Sequence, residues 1–136
     1  MKRFLLALAC ITLMTGSAVA QSHDEMVANQ RPATKAEIAG VLQAMRDYLY
    51  DPDSVRDVTI STVMTKYRRD GSYFHLICVD GNAKNAYGAY TGKQTTMVLL
   101  TPEGQHFNSS RAWSDLQLCK RLTWRPFTEV KTLQNL

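Results

Sequence analysis

The stretch Thr34-Lys35-Ala36-Glu37-Ile38-Ala39-Gly40-Val41-Leu42-Gln43-Ala44-Met45-Arg46-Asp47-Tyr48-Leu49-Tyr50-Asp51-Pro52 carries both ends of a helix and its buried stripe. Thr34 followed three residues later by Glu37 is a capping box, in which the hydroxyl accepts a free backbone N–H and the carboxylate accepts the amide of the cap. Ile38, Val41, Leu42, Met45, Tyr48 and Leu49 recur at the three- and four-residue steps that place side chains on one helix face. Asp51-Pro52 ends the helix, because the residue before proline is driven out of the α region. A helix with one apolar stripe needs a second layer to cover it.

The residues downstream supply that layer. Asp51-Pro52-Asp53-Ser54 has turn chemistry, and Val58, Ile60 and Thr62 then alternate with Asp57, Thr59 and Ser61 as a strand wet on one face. Asp70-Gly71 offers a hairpin turn into Tyr73 to Val79, an unbroken run of strand formers. A third strand is expected at Thr95 to Leu100. Thr101-Pro102-Glu103-Gly104 turns into a short fourth at Gln105 to Asn108. Ser109 or Ser110 can cap a short helix that carries Trp113, Leu116 and Cys119 inward, with Lys120 and Arg121 at its C-terminal end. The fold class is therefore α+β: one N-terminal amphipathic helix on a three- to four-stranded antiparallel sheet, followed by a short C-terminal helical segment.

Working back toward the start, residues 1–20 read as a secretory signal. Lys2 and Arg3 precede an apolar run from Phe4 to Met14, and Ala18-Val19-Ala20 sets the cleavage before Gln21. The mature chain is then periplasmic or secreted, without a transmembrane segment, since no window reaches the ~20 apolar residues a bilayer helix requires. Cys10 lacks the aliphatic residue that a lipoprotein site carries three positions back, so it is read as apolar filler. Gln21 to Arg31 is polar and aperiodic and is closed by Pro32, which makes 21–33 a flexible leader to a single domain over 34–136.

The chain has 136 residues, 45% of them hydrophobic and 21% charged, enough for one core and no multidomain enzyme. Removing Lys2 and Arg3 from its 16 basic residues leaves 14 against 12 acidic ones, a net charge of +2. Nucleic acid is not an expected partner, because phosphate neutralisation needs clustered excess Lys and Arg. Cleavage also leaves two cysteines, Cys78 and Cys119, which in an oxidising compartment read as one disulfide.

Between the second and third expected strands lies a thirteen-residue connector, Gly81 to Lys93, rich in Gly, Asn and Tyr. Connectors of this length are uncommon in compact domains unless they serve a function. As a recognition loop, Asn82 and Asn85 would orient a polar ligand or peptide and Tyr87 and Tyr90 would pack on it. Thr91 would add a hydroxyl, and Lys84 or Lys93 would meet an anionic group. The same residues have an equally physical structural use: asparagines satisfy a loop's own backbone, glycines supply positive φ and tyrosines cover a sheet edge.

The pattern Asp51-Pro52-Asp53-Ser54-Val55-Arg56, then Cys78, then Asn82-Ala83-Lys84-Asn85-Ala86-Tyr87-Gly88-Ala89-Tyr90-Thr91-Gly92 resembles a group of small exported proteobacterial proteins, uncharacterised in activity. The likeness covers roughly residues 40–100 and implies a bacterial envelope setting and no settled activity; in that setting the expected partner of the connector is an envelope protein or glycan.

Other constellations are weaker. Gly88 to Gln94 mimics a phosphate loop but is one residue short between its glycines and has Gln94 in place of Ser or Thr. His75 and Cys78, with His106 and Cys119, have a usable zinc spacing that conflicts with the disulfide; His75 is instead expected at a partly exposed strand position. No cofactor is implied. The leading expectation is a non-enzymatic module that binds through 81–93. The alternatives are a small envelope hydrolase using Asp51 or Asp57 with His75, and a protein inhibitor or immunity-type protein presenting the same loop.

Overall fold

The computed structural model describes residues 20–133, so the signal segment and its Cys10 lie outside the described residues apart from Ala20. Five strands form one antiparallel sheet: β1 Arg56–Tyr67, β2 Tyr73–Asn82, β3 Gln94–Leu100, β4 His106–Ser110 and β5 Trp124–Pro126, in the order β4-β3-β2-β1-β5. β1 to β4 run as a meander, and β5 returns to pair along the far edge of β1 through Thr59, Ile60 and Ser61. The expected three or four strands are thus joined by a fifth. Three residues ending in a proline carry no strand signal of their own, and β5 exists because the free edge of β1 supplies its hydrogen bonds.

Among the described residues three α-helices pack on this sheet: α1 His23–Ala28, α2 Lys35–Tyr48 and α3 Trp113–Cys119. At α2 the capping box forms in full, with Thr34 Oγ1 accepting from the Glu37 amide and the Glu37 carboxylate accepting from the Thr34 amide. Its inner face, with Val41, Leu42, Ala44 and Met45, meets Ile60, Ile77, Val79, Val98 and Leu100 on one side of the sheet. Met26 of α1, with Leu118 and Cys119 of α3, covers the opposite side over Met64, Leu76, Cys78 and Met97. The sheet is buried on both faces. This explains why Phe74 to Val79 is an unbroken run of buried residues rather than an alternating one.

The structure corrects four of the sequence expectations. The segment 21–33, expected as a flexible leader, is tied down. Ser22 and Glu25 make a second capping box, Met26 is 1% exposed, and Arg31 exchanges backbone hydrogen bonds with Val63. β1 changes register between Ile60 and Val63, so Val63 enters the α2-side core and the Thr62 hydroxyl turns to Gln30 instead of continuing the apolar face. His75, expected near the surface, is 6% exposed because β2 is a central strand. Trp113, expected to point inward, is 77% exposed. It stands five residues before the buried Leu118, about 140° round the helix.

The disulfide joins Cys78 of β2 to Cys119 of α3, with Cα atoms 5.8 Å apart. It fastens α3 across the sheet. α3 begins at Ala112 without a side-chain cap, although Ser110 Oγ accepts the Ala112 amide and donates to Asp115. Among the described residues no helix is long and apolar enough to cross a membrane.

Candidate functional site

β2 runs on through Asn82, and the chain then folds into a small hairpin closed by an antiparallel bridge between Lys84 and Tyr90. The Asn85 amide donates to the Ala89 carbonyl and the Gly88 amide to the Asn85 carbonyl, at 2.9 and 3.0 Å. Asn85 Oδ1 accepts from the amides of Tyr87 and Ala89, and Gly88 takes a φ of +76° that a side chain would resist. Asn82 Oδ1 accepts the Gly92 amide at 3.2 Å. The two asparagine oxygens expected to orient a ligand therefore serve the connector itself. What they hold in place is the tip, where Tyr87 is 94% exposed.

The base of the hairpin is anchored by the Asp51–Ser54 turn. Ser54 Oγ accepts the Lys84 amide at 2.8 Å, and the Tyr90 hydroxyl donates to the Ser54 carbonyl at 2.8 Å. Ser54 is itself fixed, its amide donating to Asp51 Oδ1 and its hydroxyl to the Asp51 carbonyl. The Arg56 guanidinium lies 3.7 Å from the centroid of the Tyr90 ring. The two sequence patterns DPDS and NAKN…YTG, about thirty residues apart, thus form one local unit.

A cavity of about 150 Å³ opens between this unit and the end of α2. Lys84, Asn85 and Thr91 line it from the connector, whereas Lys93 is drawn into an ion pair with Asp80 at 3.3 Å. Tyr48, Leu49, Tyr50, Gln94 and Arg111 line it as well, and no sequence pattern marked them as site residues. Arg111 is held in position: Nε donates to Thr96 Oγ1 at 2.9 Å, Nη1 donates to Gln94 Oε1 at 2.6 Å, and the guanidinium stands 5.6 Å from the Tyr48 ring centroid. Burial pushes the Tyr48 phenol above its ordinary range, against the opposing pull of Thr96 and Arg111, so it stays neutral at physiological pH.

The residues considered for hydrolysis do not converge. Asp57 is exposed at the start of β1, where it takes a φ of +53° at a register shift, and Asp51 is occupied in its turn. His75 pairs with Thr65 at the other end of the β1–β2 ladder. From Asp80, opposite Thr59, it is five residues along β2, about 17 Å at the rise of a strand. The zinc spacing also dissolves: both sulfurs are in the disulfide, and His75 belongs to the α2 side of the sheet while Cys78 faces α3. His75 Nδ1 lies 3.1 Å from Thr65 Oγ1, and Nε2 lies 3.6 Å from Glu37 Oε1. It is part of a buried polar cluster under the first turn of α2. No family model, curated protein or solved structure matches this chain.

Proposed function

We propose that this chain is an exported, non-enzymatic binding module of the bacterial cell envelope that grips an envelope protein or glycan through the 81–93 connector. The observation that carries this reading is the tip itself: a hairpin braced at both ends by its own amides and by Ser54 presents Tyr87 at 94% exposure, and Lys84, Asn85 and Thr91 of the same connector line an open cavity. A brace of this kind lowers the ordering entropy lost on contact, and a tyrosine offers large amphipathic area with few rotors. The signal-like residues 1–20, the disulfide and the resemblance in the DPDS and NAKN…YTG patterns support the envelope setting.

The test is a photo-crosslinking residue placed at Tyr87 in cells expressing the full chain. A discrete adduct is expected, absent when the same residue replaces the exposed Tyr67 at the opposite end of the β1–β2 ladder. Equal labelling from both positions would overturn the reading. N-terminal sequencing of the exported protein should begin at Gln21. The protruding tip also favours a second reading, an inhibitor or immunity-type protein that inserts Tyr87 into an enzyme's cleft. In that case the adduct is an enzyme whose activity falls on addition of the purified protein.

A further inference from the structure

We infer that the cavity between α2 and the connector takes a carboxylate borne beside one small apolar side chain, as at the C-terminus of a peptide ending in a residue such as leucine. This rests on the preceding reading that the connector is the binding face, and it names what that face recognises.

The cavity lining combines two chemistries. Met45, Leu49, Val55, Val79 and Ala83 give it apolar surface, of which Leu49 and Ala83 are only half-buried. Lys84 and Arg111 line it too, and the lining contains no Asp or Glu. Neither cation takes part in an ion pair among the described residues, in contrast to Lys93, Arg31, Arg121 and Arg125. Lys84 Nζ stands 5.7 Å from the Tyr90 ring centroid, and Arg111 is held by two neutral acceptors beside Tyr48. A guanidinium fixed in this way is preorganised to meet a carboxylate, since less side-chain freedom is lost when the bond forms.

The occupant must satisfy both surfaces. A purely inorganic anion would leave the half-buried Leu49 and Ala83 uncovered, and a purely apolar group would take water from the two cations without replacing it. The volume bounds the size: about 150 Å³ holds a benzene-sized group, which is one side chain and not a folded segment. A chain terminus carries its carboxylate and its last side chain on the same Cα, so it presents both within that volume, whereas an internal Asp or Glu presents charge without the apolar partner. Capture of a terminal carboxylate is an established mode of peptide recognition.

The experiment is an amide-resolved NMR titration of the disulfide-intact mature chain with three probes: N-acetyl-leucine, N-acetyl-leucinamide and inorganic phosphate. N-acetyl-leucine is expected to shift the amides of Ala83, Lys84, Asn85, Gly92 and Gln94. The neutral amide should bind about ten-fold more weakly, as expected for loss of one charge-assisted contact. Lys84→Met should produce the same loss for the acid with an unchanged melting temperature, because the bond to Ser54 uses the Lys84 backbone. Equal binding of acid and amide, equal shifts by phosphate, or no shift in these residues would each overturn the proposal. The Tyr87 adduct separates the two readings. If it forms unchanged in Lys84→Met, the partner stands and this ligand chemistry fails; if the titration succeeds and no adduct forms, the cavity chemistry stands without the partner.

Discussion

Arg31 and Glu37 meet through two charge-assisted hydrogen bonds of 2.9 and 2.7 Å, and this fork clasps the segment leading from α1 onto the first turn of α2. Glu37 is 3% exposed and also accepts the Thr34 amide, so one carboxylate closes the helix cap and secures the preceding chain. Arg31→Ala would leave that carboxylate buried without its cation. The expected loss is about 1–2 kcal/mol, the low end for a charged hydrogen-bond pair because Arg31 is 39% exposed and water replaces part of the contact. A fall in the urea midpoint, with faster amide exchange over 23–31, would show it. Unchanged exchange there would show that Met26 alone fixes the segment.

Stability should fall as the medium becomes acidic, in two stages. Burial holds His75 below its ordinary value; Glu37 pulls the other way, and Arg31 adds to the lowering. A histidine lowered in the folded state is protonated first in the unfolded chain, so its contribution is complete above about pH 6.5 and is lost as pH falls below that. For Glu37, burial pushes upward but Arg31 and the Thr34 cap outweigh it, so the net displacement is downward. Its contribution is present above the ordinary carboxylate value and disappears as pH falls through the lowered one. Denaturation measured from pH 7.5 down should show both stages, and His75→Gln should flatten only the first. A slope that survives this substitution would assign the first stage elsewhere.

Gly40 of α2 faces the β3–β4 turn so closely that a Cβ there would stand 2.0 Å from the Gly104 carbonyl oxygen. Gly104 has a φ of +88°, and a Cβ on it would come within 2.8 Å of the Ala36 backbone. Two main chains touch here. Gly40→Ala must push α2 off the turn and should cost about 3 kcal/mol, far above the usual effect of an exposed helical alanine. Gly71→Ala provides the contrast, since nothing lies within 4 Å and only its φ of +84° opposes the change; about 1 kcal/mol is expected. Thermal melts of the two variants should rank in that order.

Asn85→Ala removes the acceptor for the Tyr87 and Ala89 amides. Both donors are at an exposed tip where water can replace it, so global stability should fall by no more than about 1 kcal/mol. Amide exchange at Tyr87 and Ala89 should accelerate well beyond that of β2. If it does not, the Asn85–Ala89 backbone bonds brace the tip without the side chain.

The helix at 35–48 and the meander were legible because caps, periodicity and turn residues are local signals. α1 carried the same Ser-x-x-Glu signature at Ser22 and Glu25, but with one buried residue in six it shows no stripe, and its order comes from packing on β1. The connector was legible from composition as a long polar loop, but the cavity was not. Tyr48, Tyr50 and Arg111 are brought to it by the sheet order and by the crossing of α2, which no local pattern encodes.

Cys78 and Val79 are consecutive on β2; the first is bonded to α3 and the second lines the cavity under α2. A strand that slipped by one residue would exchange these two directions, setting valine against Cys119 and a thiol beneath α2. The covalent link forbids that exchange, so it acts as an alignment key for the central strand. The far side of the molecule thereby fixes which side chain lines the cavity.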